Sequence, residues 1–192
     1  MTTNEAIKER ASYRGKYLEE AVSRDNLEII MEAGLAAPSG CNRQTTSIVA
    51  VDDSALLEQI RPLLKRVRMT APALIFVLSE KIASYHGNCY SVQDYSAAIE
   101  NMLLTITDLG YASCWVEGYM TDFKDGVGKQ IAEILKIDPK FELVCCLPVG
   151  KPAEEIKRVA KKPSSHFIDE PKKCGAFFLT VLRFKACKKS FR

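Results

Sequence analysis

The 192-residue chain lacks most of the signatures that announce a mechanism outright. It has no G-x-x-x-x-G-K-[ST] phosphate loop, no G-x-G-x-x-G, no H-E-x-x-H and no G-x-S-x-G. Histidine is scarce. His86 and His166 are the only two, too few for a triad or a multi-histidine metal site to be expected. His86 and Cys89 share one stretch, but two potential ligands do not make a site, and no metal is expected. The seven cysteines are odd in number and form no C-x-x-C pair, which suggests neither a disulfide framework nor a zinc centre. Reduced thiols in the cytoplasm are the expectation. No apolar run approaches the roughly 20 residues that span a bilayer, and Thr2-Thr3-Asn4-Glu5 lacks the apolar core of a secretory signal. No membrane partner is expected. A net charge of +3 is too small to point to nucleic acid.

What is present suits one folded domain over residues 1–192: 47% hydrophobic and 27% charged residues, close to the globular average. Thr2 and Glu5 have capping-box spacing for a first helix to Glu9, with Ile7 on its buried face. Leu27, Ile30, Met31, Gly34 and Leu35 give helical spacing over 25–36, and Pro38 to Gly40 stops that helix. Strands are expected at 47–51, 73–78, 112–116 and 143–149. Residues 54–67 read as a helix with Pro62 as a kink, and 123–135 as another. The broad apolar face of 91–109, closed by Gly110 as a C′ cap, predicts a long helix buried on more than one side, as at a subunit interface. Helices alternating with short strands favour an α+β or α/β layer architecture.

Four segments carry residue types suited to ligand chemistry. Arg10, Ser12 and Arg14 sit two apart, so an extended backbone puts them on one face. Two guanidiniums and a hydroxyl there form a phosphate grip, though a solvated basic stretch has the same spacing. Ala37-Pro38-Ser39-Gly40-Cys41-Asn42-Arg43-Gln44 joins a turn that admits close approach of the backbone to amide side chains able to meet a planar heterocycle. An ordinary helix-to-strand loop is the alternative. Cys114-Trp115-Val116-Glu117-Gly118 ends a strand where backbone N–H groups are exposed, and Trp115 suits core packing equally. Lys157, Arg158, Lys161 and Lys162 form a basic cluster that is either a solvated face or a source of a further phosphate cation.

In this order the segments resemble the nitroreductase family. Arg10-x-Ser12-x-Arg14 resembles its R-x-S-x-R element, and Ala37-Pro38-Ser39-Gly40-x-Asn42-x-Gln44 its A-P-S-x-x-N-x-Q element. Gln93-Asp94, Asn101-Met102-Leu103-Leu104 and Leu109-Gly110 resemble its central helix. Trp115, Glu117 and Gly118 resemble the strand end beneath the flavin, and Val149-Gly150-x-Pro152 followed by Lys161 the distal V-G-x-P and basic residue. The resemblance runs from about Ile7 to Pro163.

The resemblance implies an α+β fold with a mixed central sheet flanked by helices, a three-layer arrangement in an intertwined homodimer. It implies tightly bound, non-covalent FMN at the interface and NAD(P)H as the electron donor. Small acceptors such as nitroaromatics, quinones or flavins would be reduced by a ping-pong mechanism. By motif position, Arg10, Ser12 and Arg14 would hold the phosphate and pyrimidine edge, with Lys161 as a further phosphate contact. Pro38, Ser39, Gly40 and Asn42 would come from the partner subunit and cover the ring, and Gln44 would be a further cofactor-binding residue. Backbone groups at Glu117 and Gly118 would face the flavin N5 region. No side chain need act as catalytic acid or base, because the flavin carries the chemistry. The sequence departs from the family at Thr45, where many relatives carry Pro and where a looser loop is expected. It departs again in an atypical C-terminal segment over 164–192, where Phe177 to Leu182 could wrap the partner. A carrier or sensor that binds FMN without turnover would use the same residues.

Overall fold

The computed structural model describes residues 1–64, 70–118, 120–121 and 126–161. Met1–Arg158 form one compact unit, and Val159–Arg192 a second, of which only 159–161 are described. The expected segment 164–192 lies outside the described residues.

The capping box at the first helix forms as the sequence demands: Thr2 accepts from the Glu5 backbone, and Glu5 reaches back to the Thr2 N–H over 2.7 Å. This caps α1 (Thr3–Glu9). Its inward position is Ala6, whereas Ile7, expected to be buried, is 54% exposed. A two-turn helix presents one narrow stripe, and the residue next to Ala6 lies about 100° away from it. Ser23 caps α2 (Arg24–Leu35), which buries Leu27, Ile30 and Gly34 and stops before Pro38. Strand β1 (Thr46–Val51) follows, then α3 (Ser54–Ile60), which passes into a 3-10 turn at Arg61–Leu63 where Pro62 lacks a donor to continue it.

Strand β2 (Ala73–Glu80) is buried along all but its last residue. Helix α4 (Ser91–Asp108) is the longest element. It ends as predicted at Gly110, with φ +77°. The Tyr111 N–H donates to the Ile106 carbonyl and the Gly110 N–H to Thr107, both over 3.0 Å, which satisfies the last carbonyls. Helix α5 (Val127–Ile134) is shorter than the expected 123–135 helix, whose start falls outside the described residues. Strand β3 (Phe141–Val149) completes the order β1-β2-β3, antiparallel at both pairings.

Alternation along β2 sends its side chains to two cores. Leu74, Phe76 and Leu78 pack with Leu57, Ile60, Val127 and Ile131 from α3 and α5. Ala73, Ile75 and Val77 pack with Leu27, Ile30, Ile99, Met102 and Ile106 from α2 and α4. Burial of each large apolar side chain contributes about 1.5–3 kcal/mol, so the sheet with helices on both faces is the principal source of stability. The fold is α+β.

The expected strand 112–116 does not form as a continuous ladder. Ala112 bridges Gly150 and Val116 bridges Cys146, both antiparallel, while Ser113 bridges Ser12 in the parallel sense. This short segment divides its hydrogen bonds between two neighbours, so no run with either one is long enough for a strand.

Candidate functional site

Residues 10–14 lie extended beside Ser113, where the Tyr13 N–H donates to the Ser113 carbonyl over 2.9 Å. Tyr13 turns into the core against Tyr17, their rings edge-to-face with centroids 5.1 Å apart. Period two then leaves Ser12 and Arg14 exposed. Neither side chain has a hydrogen-bond or ion-pair partner among the described residues. Arg10 is one-fifth exposed, and its Nε meets Glu100 Oε1 at 3.3 Å. That contact uses the side of the guanidinium and leaves its terminal fork for another acceptor. Burial pushes the Cys114 thiol up, with the Arg14 charge pulling the other way. Ser113 Oγ is buried without a hydrogen-bond partner among the described residues.

The loop that follows α2 is strained. Cys41, Asn42 and Gln44 have φ of +52°, +52° and +50°, a region that costs non-glycine residues about 1–2 kcal/mol each. Local bonds shape it: the Gln44 N–H donates to Ser39 Oγ over 3.0 Å, and Gln44 Nε2 donates to Asn42 Oδ1 over 3.3 Å. Asn42 and Gln44 are exposed. Gly40 lies so close to Tyr90 that an added Cβ would stand 2.6 Å from the Tyr90 Cβ, so only glycine fits. Asp94, in the first turn of α4, accepts from the Gly40 N–H and from the Thr45 hydroxyl, each over 2.7 Å. Thr45 is 2% exposed. The loosening expected from Thr45 in place of Pro is therefore overturned, because the hydroxyl ties the loop down. A groove of about 330 Å³ runs past Pro38, Ser39, Gln44 and Asp94.

At the end of the 112–116 segment, the Glu117 carboxylate accepts from Trp115 Nε1 over 2.8 Å and from the Tyr95 hydroxyl over 2.9 Å. Burial and the neighbouring Glu117 push the Tyr95 phenol up to about 12. Gly118 is exposed, with open space where a side chain would stand, so the backbone there is accessible.

Helix α4 is the common support. Asp94 holds the 38–45 loop, Tyr95 holds Glu117, and Glu100 holds Arg10. Six residues of helix separate Asp94 from Glu100, about 9 Å of rise and about 240° of rotation. The arginine segment and the Pro38–Gln44 loop are thus keyed to different sides of the helix. The chain brings Arg10, Ser12 and Arg14 together as one group, and Pro38, Ser39, Gly40, Asn42 and Gln44 as another. Lys161 is exposed and belongs to the second unit. In the basic cluster Arg158 pairs with Glu9, Lys157 is exposed, and Lys162 lies outside the described residues. Sequence reasoning assigned no role to Asp94, Tyr95 or Glu100. The available signal was an aspartate in the first turn of an apolar helix, a polar group that burial would oblige to find donors.

The sequence model of the Nitroreductase family matches residues 7–67 and 64–151. A provisionally named NADH dehydrogenase/NAD(P)H nitroreductase of Archaeoglobus fulgidus is 28% identical over 142 residues, 72% of this chain and 79% of the relative. Among solved structures, a nitroreductase with bound FMN from Bacteroides fragilis aligns with a TM-score of 0.71 at 26% identity, over 88% of this chain and 100% of that one. An FMN-dependent nitroreductase from Clostridium difficile aligns with a TM-score of 0.69 at 28% identity, over 81% and 90%.

Proposed function

The chain belongs to the nitroreductase family, and from that membership we propose that it is an FMN-dependent NAD(P)H oxidoreductase acting on small oxidised molecules. The observation that carries the reading is the donor set. Arg10, Ser12 and Arg14 stand together with the Arg10 fork, the Ser12 hydroxyl and the whole Arg14 guanidinium unpaired among the described residues. Unpaired cationic donors on one short segment fit a phosphate, which accepts several charge-assisted bonds at once. Arg10 would grip it as a fork, Ser12 would donate its hydroxyl, and Arg14 would add charge. Asn42 and Gln44 would offer amides to the ring edges, Pro38, Ser39 and Gly40 would cover the ring, and the exposed backbone at Glu117 and Gly118 would lie along it.

The placement of the two groups on different sides of α4 favours a homodimer in which the 38–44 loop completes the site of a second copy. FMN, when bound, would supply the redox chemistry between NAD(P)H and a nitroaromatic, a quinone or a flavin in ping-pong turnover. The chain's own task is to bind and orient. Cationic side chains beside bound FMN would favour its anionic reduced form as preorganised charge, and the bond from Tyr95 fixes the Glu117 carboxylate. The free thiols at Cys41, Cys89, Cys114, Cys145 and Cys146 suit a reducing compartment such as the cytoplasm. Steady-state kinetics test the cycle. Parallel double-reciprocal lines for NADH or NADPH against a quinone are expected, and intersecting lines would overturn ping-pong turnover.

A further inference from the structure

We propose that Asp94 is the positioning residue of the cofactor-facing loop, closing it at both ends and so setting where Ser39, Gly40, Asn42 and Gln44 present their groups. The inference rests on the proposed FMN role of that loop.

Asp94 is 4% exposed, and it has no cationic partner among the described residues. A carboxylate taken out of water is retained at a cost unless its oxygens are satisfied. Each oxygen of Asp94 accepts one short bond, and the two donors bracket the loop: the Gly40 N–H at its start and the Thr45 hydroxyl at its end. Two further bonds reach the loop from outside: the Ser84 hydroxyl donates to Cys41 Sγ over 3.5 Å, and the Glu80 N–H donates to the Thr45 carbonyl over 2.9 Å. Cys41, Asn42, Arg43 and Gln44 are all exposed, so burial of apolar surface does not hold them, and three of these four carry positive φ. The bonds from Gln44 to Ser39 and Asn42 lie within the loop and travel with it. The Gly40–Tyr90 contact locates one end only. The Asp94 carboxylate is therefore the one group that ties both ends of a strained, exposed turn to the long helix.

The test compares full-length wild type with Asp94→Ala, Asp94→Asn and Thr45→Val by two readouts. The first is backbone hydrogen exchange over 38–45 in protein without FMN. The second is the FMN dissociation constant of the folded protein, read beside urea stability. Asp94→Ala should exchange at 38–45 at least about tenfold faster and bind FMN at least about tenfold more weakly, the size expected for losing bonds to a charged acceptor. Asp94→Asn keeps an oxygen for Gly40 and should return both values to within about threefold of wild type. A merely structural aspartate would lower urea stability while leaving FMN affinity and local exchange unchanged, and that result would overturn the proposal. If Asp94→Ala does not fold, Thr45→Val, which keeps side-chain shape and removes one anchor, decides. Faster local exchange and weaker FMN binding support the proposal, and wild-type values in both refute it. Wild type that takes up no FMN would defeat the cofactor reading, while the exchange comparison would still decide the role of Asp94.

Discussion

Replacing Arg10 by alanine isolates the phosphate grip. Among the described residues the side chain makes one ion pair, Nε to Glu100 at 3.3 Å, with the two side chains 21% and 48% exposed. An ion pair this open to solvent is worth about 0–1 kcal/mol, so the fold should lose no more than that. A charge-assisted bond from the terminal fork to a phosphate is worth about 1.5–3 kcal/mol, which corresponds to roughly a 10- to 150-fold rise in the FMN dissociation constant. The two magnitudes separate binding from folding. Titration of apo-protein with FMN by fluorescence quenching, run beside urea unfolding, measures both. Arg10→Lys should fall between wild type and alanine, because the charge survives and the bidentate geometry does not. An alanine variant with FMN affinity within about twofold of wild type would refute the assignment of Arg10 to the phosphate.

Gly40→Ala should destabilise by about 1–3 kcal/mol through overpacking, since the new Cβ would meet the Tyr90 Cβ at 2.6 Å. Urea unfolding checks this, and adding Tyr90→Ala, which keeps that Cβ but removes the ring carbons Cγ and Cδ2 at 2.7 Å, should recover part of the loss. Tyr95→Phe removes one of the two donors to Glu117 and should cost about 1.5–3 kcal/mol at neutral pH. The pH dependence has a definite sign. Burial and the Glu117 carboxylate push the folded Tyr95 phenol up to about 12 from its ordinary 10.0, so the folded state holds its proton longer. Wild type should therefore keep its full advantage over Tyr95→Phe below pH 10.0 and lose it as pH rises towards about 12. An advantage that grows over that range would contradict the environment described for Tyr95.

Local signals proved the most legible part of the chain. The Thr2 and Glu5 box, the Gly110 cap and the uninterrupted apolar run of β2 each follow from chemistry within a few residues, and each forms as expected. Features set by distant partners were not legible. Ile7 is exposed because α1 meets its neighbour along a stripe that only tertiary packing selects. Residues 112–116 have strand composition, yet they split their pairing between β3 and Ser12. In the candidate site the ligand-facing residue types could be read from spacing, because an extended segment with Tyr13 inward must turn Ser12 and Arg14 outward. Their supports on α4 could not. Asp94, Tyr95 and Glu100 bind partners 54, 22 and 90 residues away in sequence, and no local pattern encodes such pairings. Thr45 shows the same limit in a single residue: a departure that suggested a looser loop becomes an anchor once the Asp94 oxygen is seen 2.7 Å away.

The most direct test of the central claim is the visible absorption spectrum of the purified protein, recorded without oxygen before and after adding NADH and then NADPH. Flavin bands that bleach with one or both nicotinamides are expected. Bands that stay oxidised would contradict the oxidoreductase assignment, and the absence of flavin even after reconstitution with FMN would contradict the cofactor site itself.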